Sequence, residues 1–487
     1  MVRPLGSVTI LPTVTGAAFF DLDRTLLKRA SGEAFSNAMR VAGMAPRRVP
    51  GEGLLYRLFN TIGENVPAMM LARQAVVWAK GKPRQSVVDV ARVAADELFE
   101  LVQPFAHLVI ADHHQHGRPV VLATTSPYDM VSPFAEKLGL DDVIATRYGV
   151  DDDGTYDGTL DGHFVWSAGK LAAVEEWAAA NGIDLAQSYA YSDSVYDTPL
   201  LAAVGYPMVV NPDPPMVVMA AARRWPVMSL DVPKGVRKLP FTSIELQRVA
   251  LAFARPELFP YARFDIEGVD KIPSKGAGIV VANHRSYFDI SALAITVARS
   301  GRTVRSLGKK EVFEAPVIGQ LAAAMGGIPV NRSSGSDEPL AAAADALAGG
   351  ELVAMMPQGT IPRGPAFFES ELKGRWGAAR LASLTKAPVI PIGLWGTDKV
   401  WPRSSRVPNV LNVSDPPQIT VRVGDPVELK YRSADADTKR IMTAIAALLP
   451  PEARRAHTPT AAELASTYPP GYRGDPRAES ERRPGTD

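Results

Sequence analysis

Short apolar runs, each followed by a cluster of polar side chains, recur along this chain of 487 residues. Three of them lie in the first half, at Ala17–Phe20, Pro119–Ala123 and Ser188–Tyr191. Helix-forming stretches separate the runs, and buried strands that alternate with helices are typical of a parallel sheet. We therefore predict an α/β fold for this half, with its polar side chains collected where the strands end.

A mostly helical insert lies between the first two runs, at about 34–108, and its predicted helices are Ala68–Lys80 and Ser86–Val102. The length of this insert suits a helical cap over an active site. The alternation of strands and helices resumes in the second half, where Gly278–Ala282 and Val389–Gly393 are predicted strands. A second α/β domain is therefore expected there.

Chain length and composition set the predicted domain boundaries, because 487 residues exceed one ordinary core. The predicted segments are 15–222 for the first α/β domain, 223–242 for a basic linker, 243–450 for the second α/β domain and 451–487 for a tail. Pro, Gly and charged residues dominate the tail, and few of its residues are apolar. We predict that it is disordered.

The segment from 222 to 256 is basic, since Asp231 and Glu245 are its only acids. Its second half, Phe241–Phe253, has the pattern of an imperfect amphipathic helix. One interpretation is a linker followed by a core helix. The other is a basic amphipathic segment, around Arg237–Arg255, that lies on anionic lipid, and we predict that it docks the protein on a membrane.

Composition excludes several classes of site and protein. The chain has no cysteine, so disulfides, thiolate zinc sites and cysteine nucleophiles are excluded, and a net charge of +1 gives no support to a nucleic-acid binder. No run approaches the roughly 18 apolar residues of a spanning helix, and the first 16 residues lack the apolar core of a signal peptide. We expect a peripheral protein on the cytoplasmic side of a membrane, of open oligomeric state.

Two carboxylates, Asp21 and Asp23, directly follow the first apolar run, and Thr25 can hold the loop after them. One carboxylate can attack phosphorus while the other passes a proton to the leaving group and then activates water. Further polar groups follow in order: Thr124 at the end of the second run, Lys170 at the start of a helix, and Asp193 with Asp197 after the third run. The acids offer the hard oxygen ligands that Mg²⁺ prefers.

These residues resemble the four motifs of the haloacid dehalogenase superfamily, in its phosphoserine-phosphatase-like branch with an inserted helical cap. The resemblance covers about 15–222 and implies a Rossmann-like domain. It implies that Asp21 is the nucleophile, that Asp23 is the acid/base, and that Thr124 and Lys170 hold the phosphoryl group.

The same resemblance implies a magnesium site at Asp21, Asp193 and the carbonyl of Asp23, supported by Asp197. Arg24 stands where phosphoserine phosphatases typically carry Ser, so phosphoserine is not the expected substrate. Four histidines precede the second strand, and we predict that they lie on a solvated face rather than bind a metal: His107, His113, His114 and His116.

In the second half, His284 follows the predicted strand Gly278–Ala282, and Asp289 comes five residues later. An acid at this spacing can hold an imidazole in one tautomer, which can then deprotonate a hydroxyl for attack on a thioester. Two further strand ends follow, one carrying Arg332 and one leading into the turn Met355–Thr360. Arg332 suits the capture of phosphate.

Together these blocks resemble the glycerolipid acyltransferase family, the 1-acylglycerol-3-phosphate acyltransferases, over about 260–430. The resemblance implies that His284 is the base and Asp289 its partner. It also implies that Arg332, Gly359 and Thr360 bind the acceptor phosphate.

The phosphate-contacting lysine of the family falls at Lys309 or Lys310. The third block departs from the usual pattern, since Gln358 replaces an acid and Ile361 an arginine. Gln358 keeps hydrogen-bonding capacity, and Arg363 can supply the missing cation.

The two resemblances imply a bifunctional enzyme of phospholipid synthesis. Its C-terminal domain would transfer an acyl chain from acyl-CoA to a lysophosphatidate-like lipid, 1-acylglycerol-3-phosphate, and make phosphatidate. Its N-terminal domain would be a Mg²⁺-dependent phosphatase. Two alternatives stay open: another acceptor, glycerol-3-phosphate or a glycolipid, and an N-terminal domain that is regulatory rather than catalytic.

Overall fold

The computed structural model describes residues 16–44, 66–233, 236, 238, 245–251, 253–309, 313–314, 319, 322, 326–330 and 338–472. The chain divides into two compact units between Val232 and Pro233. Among the described helices, none has both the length and the apolar character needed to cross a bilayer.

The N-terminal unit is built on a parallel sheet of six strands in the order β3-β2-β1-β6-β7-β8. Two further strands, β4 and β5, form a separate antiparallel pair. The strands of this unit are β1 (Ala18–Phe20), β2 (Val120–Pro127), β3 (Asp142–Thr146), β4 (Tyr148–Val150), β5 (Tyr156–Leu160), β6 (Tyr189–Ser192), β7 (Tyr206–Val210) and β8 (Val227–Met228). The predicted parallel α/β fold is confirmed.

Helices cover the sheet, and those described between β1 and β2 lie close to the predicted bounds. They are α1 (Gly32–Val41), α2 (Val66–Ala79), α3 (Arg84–Glu100), α4 (Ala106–Gln115), α5 (Tyr128–Leu138), α6 (Ala168–Asn181), α7 (Thr198–Ala203) and α8 (Pro214–Arg223). Alternate residues of β1 face opposite sides of the sheet: Phe20 packs in one apolar cluster and Phe19 in the other. Burial on both faces is what made this strand a continuous apolar run.

The C-terminal unit has a sheet of seven strands in the order β12-β11-β13-β10-β14-β15-β9, in which only β14 and β15 pair antiparallel. These strands are β9 (Arg263–Glu267), β10 (Gly278–Ala282), β11 (Val304–Lys309), β12 (Ile328–Val330), β13 (Leu352–Met355), β14 (Val389–Trp395) and β15 (Gln418–Val423). The α/β prediction is confirmed here too. Two apolar clusters again lie on the two faces of the central strand, β10.

Seven described helices accompany this sheet. They are α9 (Leu246–Leu251), α10 (Asp289–Ala298), α11 (Glu338–Ala348), α12 (Gly377–Thr385), α13 (Thr397–Val400), α14 (Ala434–Ala447) and α15 (Ala461–Ser466). The helix α10 begins at Asp289, so the predicted acid lies in its first turn.

Two predicted boundaries are wrong. The basic linker does not begin at 223, because β8 pairs with β7 and Leu230 is fully buried in the N-terminal core. The tail predicted to be disordered from 451 is structured over its described part, 451–472, and the rest of it lies outside the described residues. In the described part, α15 begins with a capping box between Thr460 and Glu463, and the Thr467 hydroxyl accepts a hydrogen bond from the backbone N–H of Gly364 at 2.8 Å.

Much of the segment predicted to dock on lipid, Arg237–Arg255, lies outside the described residues. Two of its described side chains, Glu245 and Gln247, are buried. They accept hydrogen bonds from the fully buried guanidinium of Arg305, at 3.1 Å for Glu245 and 3.0 Å for Gln247. This contact favours the alternative of a core helix for the start of α9.

The prediction of a solvated histidine face is wrong for His113, whose side chain is buried in the N-terminal unit. Its Nδ1 accepts a hydrogen bond from Nε of Arg118 at 2.9 Å, so its proton lies on Nε2, which contacts the Tyr191 hydroxyl at 2.8 Å. No group of three or more His, Cys, Asp or Glu side chains placed to hold a metal ion is found among the described residues. His113 is a neutral core residue.

Acidification should destabilise the N-terminal unit through this histidine. Burial lowers the pKa of His113 from 6.5 to about 4. Between those pH values the unfolded chain binds a proton that the folded unit does not, so stability falls as the pH falls through this window. The loss amounts to about 3 kcal/mol at most.

Urea unfolding at pH 7.5 and pH 5 measures this effect. In His113→Phe we expect a smaller loss of stability between the two pH values. The exposed His114 provides the control, since His114→Gln should keep the wild-type dependence. Equal pH dependence in wild type and His113→Phe would contradict the assignment.

Candidate active sites

The carboxyl ends of β1, β2 and β6 bring the predicted phosphatase residues together. Phe20 is in register with Leu122 of β2 and Tyr191 of β6, and the backbone N–H of Asp21 donates to the Tyr191 carbonyl at 2.9 Å. Asp21 and Thr124 therefore stand at the same edge of the sheet, and Asp193 directly follows β6. All three are buried.

Lys170, at the start of α6, links two acids of this edge. Its side chain is only 1% exposed, and its ammonium donates to Asp21 Oδ1 at 2.8 Å and to Asp197 Oδ2 at 2.7 Å. The Ser192 hydroxyl donates to the same Asp197 oxygen at 2.7 Å. The cation offsets part of the cost of burying the two carboxylates and fixes the position of the Asp21 side chain at this edge.

Asp23 lies in the turn that follows β1, where its Oδ1 accepts a hydrogen bond from the backbone N–H of Ser31 at 2.6 Å. Burial raises the pKa of the Asp23 carboxyl above its usual value, against the lowering effect of Ser31. A raised pKa suits a group that must carry a proton to a leaving group. The Ser31 hydroxyl is also 3.4 Å from the hydroxyl of Ser126, at the end of β2.

Asp193 is held by two residues of the turn after β1. Thr25 Oγ1 accepts a hydrogen bond from the Asp193 backbone N–H at 3.0 Å. The Arg24 Nε is 3.2 Å from Asp193 Oδ2, and Arg24 has a left-handed φ of 63°. Residues other than glycine seldom adopt a left-handed backbone conformation. The ion pair with Asp193 is a contact that can compensate for the strain at Arg24.

The donor set at this edge fits Mg²⁺. Asp21 and Asp193 would supply carboxylate oxygens and the Asp23 backbone a carbonyl, which are hard ligands of the kind Mg²⁺ prefers alongside water. A site with only two carboxylates is consistent with the lack of a larger acidic cluster among the described residues. Asp197 accepts hydrogen bonds from Lys170 and Ser192 through Oδ2, so it is linked to Asp21 through the Lys170 ammonium.

In the C-terminal unit, His284 and Asp289 meet as predicted. Asp289 is fully buried, and its Oδ2 accepts from His284 Nδ1 at 2.8 Å and from the backbone N–H groups of Arg285 at 2.6 Å and Ser286 at 2.8 Å. Because a carboxylate can only accept hydrogen bonds, the Nδ1 atom of His284 must carry the proton in this contact. In the neutral ring this leaves the lone pair on Nε2, the atom that a general base would use.

Two amide side chains hold the His284 loop. Asn283 pairs with the backbone of Leu394 on β14 through two hydrogen bonds of 2.8 Å, one donated and one accepted. Gln358 Oε1 accepts from the backbone N–H of His284 at 2.6 Å. Gln358, which stands where the family usually has an acid, therefore positions His284 through its side-chain carbonyl oxygen.

A pocket opens beside His284. Its lining includes Gln358, Thr360, Arg363 and Arg375. Gly359 has a φ of 75°, and a Cβ there would lie 2.9 Å from both Cδ and Nε of Arg375. The turn favours glycine at position 359 for two reasons, the left-handed backbone and the close approach of the Arg375 side chain.

The other predicted phosphate ligands are only partly within the described residues. Lys309 ends β11 in register with Val330. Lys310 and Arg332 lie outside the described residues, so their roles stay predictions. Arg363 lies in the pocket wall, with its guanidinium carbon 5.2 Å from the Tyr472 ring.

Comparisons with known proteins support both halves. A profile of haloacid dehalogenase-like hydrolases matches residues 18–202, and an acyltransferase profile matches residues 263–395.

The inhibition of morphological differentiation protein of Streptomyces azureus is 34% identical over 243 residues, which are 49% of this chain and 87% of that protein. A probable phosphatase of Mycobacterium tuberculosis is 34% identical over 236 residues, 46% of this chain and 79% of that protein. A solved protein of unknown function from Bordetella pertussis Tohama I is 30% identical with a TM-score of 0.39, covering 45% of this chain and 100% of that one.

The chain belongs to the haloacid dehalogenase-like hydrolases. Its N-terminal unit is a phosphatase domain of this family, and its C-terminal unit is an acyltransferase domain. These relatives cover about half of the chain, so the second assignment depends on the acyltransferase profile. The predicted resemblances are therefore confirmed for the class of each domain, a haloacid dehalogenase-like hydrolase and an acyltransferase.

The acyltransferase domain also uses residues that sequence reasoning missed. The Arg285 guanidinium lies between the rings of Phe367 at 4.0 Å and Trp395 at 4.3 Å, and its Nε is 3.4 Å from Asp398. Arg285 directly follows His284, but its aromatic partners are more than 80 residues away in the sequence. Arg375 carried no motif signal at all.

Replacing Gln358 should show whether this side chain positions His284, which affects kcat, or binds the acyl donor, which affects KM. Gln358→Leu leaves the partly buried His284 backbone N–H without its acceptor, which costs up to about 1–3 kcal/mol. We expect kcat for acyl transfer to fall roughly tenfold to a hundredfold, with the KM for the acyl donor little changed. Thiol release from the acyl donor measures both constants.

Gln358→Glu is the matched control, because a carboxylate also accepts from this N–H. It should retain most of the activity. A Gln358→Leu enzyme with wild-type kcat, or a Gln358→Glu enzyme as impaired as Gln358→Leu, would contradict the positioning role.

Proposed function

We propose that this protein is a bifunctional enzyme of phospholipid synthesis. Its acyltransferase domain acylates 1-acylglycerol-3-phosphate with acyl-CoA to make phosphatidate, and its phosphatase domain hydrolyses a phosphate monoester with Mg²⁺. The observation that carries the proposal is the His284–Asp289 pair, with Nδ1 bound to the carboxylate at 2.8 Å beside a pocket that Arg363 and Arg375 also line.

The acyl transfer follows from this geometry. Nε2 of His284 accepts the proton of the acceptor hydroxyl while that oxygen attacks the carbonyl carbon of the thioester. A new C–O bond forms, the C–S bond of the resulting intermediate breaks, and the proton passes from His284 to the departing sulfur. Asp289 holds the imidazolium that exists between the two proton transfers. The products are an ester and a free thiol.

The acceptor class is inferred from the cations of the pocket. Arg363 and Arg375 line the same wall as Thr360, around the tight turn at Gly359. Guanidinium groups and a hydroxyl near a glycine turn are suited to a phosphate dianion, which arginine binds with two parallel hydrogen bonds. Arg363 is the residue that would replace the arginine lost at Ile361.

In the phosphatase domain, Asp21 attacks phosphorus and the substrate oxygen leaves with a proton from Asp23. Water, activated by Asp23, then hydrolyses the aspartyl phosphate and regenerates Asp21. Mg²⁺, bound by Asp21, Asp193 and the Asp23 carbonyl, would neutralise charge on the phosphoryl oxygens. Lys170 supplies a second positive charge at the same edge.

Two rival functions remain distinct from this one. The first keeps the acyltransferase and changes the acceptor to glycerol-3-phosphate or a glycolipid. Gln358 makes a contact with the His284 backbone that a carboxylate at this position could also make, so its presence is compatible with a phosphate-bearing acceptor. The second makes the N-terminal domain a regulatory module. The complete set of Asp21, Lys170 and Asp197 contacts favours catalysis instead.

Paired substitutions test the two activities. His284→Ala should lower acyl transfer from oleoyl-CoA to 1-acylglycerol-3-phosphate by about 100-fold or more, since a general base contributes that much. It should leave Mg²⁺-dependent hydrolysis of p-nitrophenyl phosphate unchanged. Asp21→Asn should do the reverse. Each variant is the control for the other.

Three outcomes would revise the proposal. Transfer to glycerol-3-phosphate or a glycolipid in place of 1-acylglycerol-3-phosphate would establish the first rival. Wild-type protein that hydrolyses no phosphate monoester would favour the regulatory module. Acyl transfer that survives His284→Ala would remove His284 as the base.

A further inference from the structure

The loop between α13 and β15 displays aliphatic side chains to solvent. The exposed fraction is 67% for Val407, 46% for Val410, 87% for Leu411 and 56% for Val413. The backbone of this tip is held by local hydrogen bonds, including one of 2.8 Å from the Asn412 side chain to the Asp415 carbonyl. Single exposed apolar residues are common on protein surfaces, whereas four within seven positions form a patch of the kind found at interaction surfaces.

The base of this loop is fastened to the acyltransferase site. The Ser286 hydroxyl donates to the Trp401 carbonyl at 2.6 Å, and the rings of Tyr287 and Trp401 are 5.5 Å apart. Arg403 donates from its guanidinium to the carbonyl of Ile361, a residue of the pocket wall. Any surface that the loop binds is therefore held next to His284.

The charge of the loop selects the partner. Residues 399–417 carry three cations, Lys399, Arg403 and Arg406, against one acid, Asp415, and Lys399 and Arg406 are exposed. The acid that precedes them, Asp398, lies 3.4 Å from the Arg285 guanidinium. Cations around an apolar tip match the anionic headgroups and acyl chains of a membrane surface. The described loop contains no β-strand between Val400 and Gln418, so it offers no strand to which a partner strand would pair.

We propose that this segment, named here the docking loop (residues 401–414), inserts Val407, Val410, Leu411 and Val413 into the surface of an anionic bilayer. The inference deepens the proposed function and rests on it, because a lipid acceptor must reach His284 from a membrane. It moves the membrane contact away from the basic segment around α9, where Glu245 and Gln247 are buried against Arg305.

Flotation with vesicles of phosphatidylcholine and phosphatidylglycerol tests the docking loop in the full-length protein. The double variant Leu411→Ser, Val413→Ser removes two exposed aliphatic groups that make no core contact. Its partition coefficient onto the vesicles should fall by about tenfold or more, in proportion to the apolar area withdrawn from the bilayer. Val218→Ser is the matched control, since this valine of the N-terminal unit is 66% exposed and should not affect flotation.

Activity toward two acceptors separates the loop from the chemistry. With 1-acylglycerol-3-phosphate in vesicles, the double variant should be slower by a factor similar to its loss of binding. With a short-chain acceptor that is monomeric in water, its rate should equal that of the wild type. Slower transfer to the monomeric acceptor as well would overturn a purely docking role.

The remaining outcomes separate the inference from the proposed function. Weaker flotation of the double variant supports the loop even if no acceptor is acylated, in which case only the proposed acceptor fails. Unchanged flotation overturns the inference while leaving acyl transfer intact. A wild-type dimer that becomes monomeric in the double variant, without vesicles, would overturn the lipid partner and assign the loop to self-association.

Discussion

Burial of the central strands on both faces is the constraint on which both domains depend. Because helices and apolar clusters cover β1 and β10 from both sides, polar chemistry has no place along those strands. It can stand only where the strands end, at the open edge of the sheet. Asp21 follows β1 and His284 follows β10 for this reason, although the roles proposed for them differ, attack on phosphorus for one and removal of a proton for the other.

That position brings charged groups into poorly solvated surroundings, so each must find a partner from another segment. Lys170 bridges Asp21 and Asp197, and Arg24 pairs with Asp193. Asp289 is held by a ring and two backbone amides. Removing one partner from such a group costs more than the contact itself contributes, because a buried charge is left unpaired. The same contacts therefore stabilise the fold and orient the reacting atoms.

The strands and the principal acids and base were predictable from the sequence, because a strand buried on both faces gives a continuous apolar run and the motif residues follow it directly. Contacts between distant segments were not predictable. Gln358 reaches the His284 backbone across 74 positions, and Arg285 is enclosed by rings that no local pattern indicates. The tail shows the same limit: its composition predicts disorder, yet Thr467 satisfies a backbone donor of Gly364. Buried His113 carries no periodic signal that distinguishes it from its exposed neighbours.

The long-range pairing of β9 has a consequence for synthesis on the ribosome. The phosphatase sheet has all its strands once Met228 has been made, whereas β9 waits for Gln418–Val423 before it has a partner in the described sheet. The loop at Gly364 waits longer still, for Thr467. Domains generally fold as units in the order in which they emerge. The nascent chain should therefore carry a finished phosphatase domain while its acyltransferase half still exposes an unpaired strand, which makes that half the one that needs protection from aggregation.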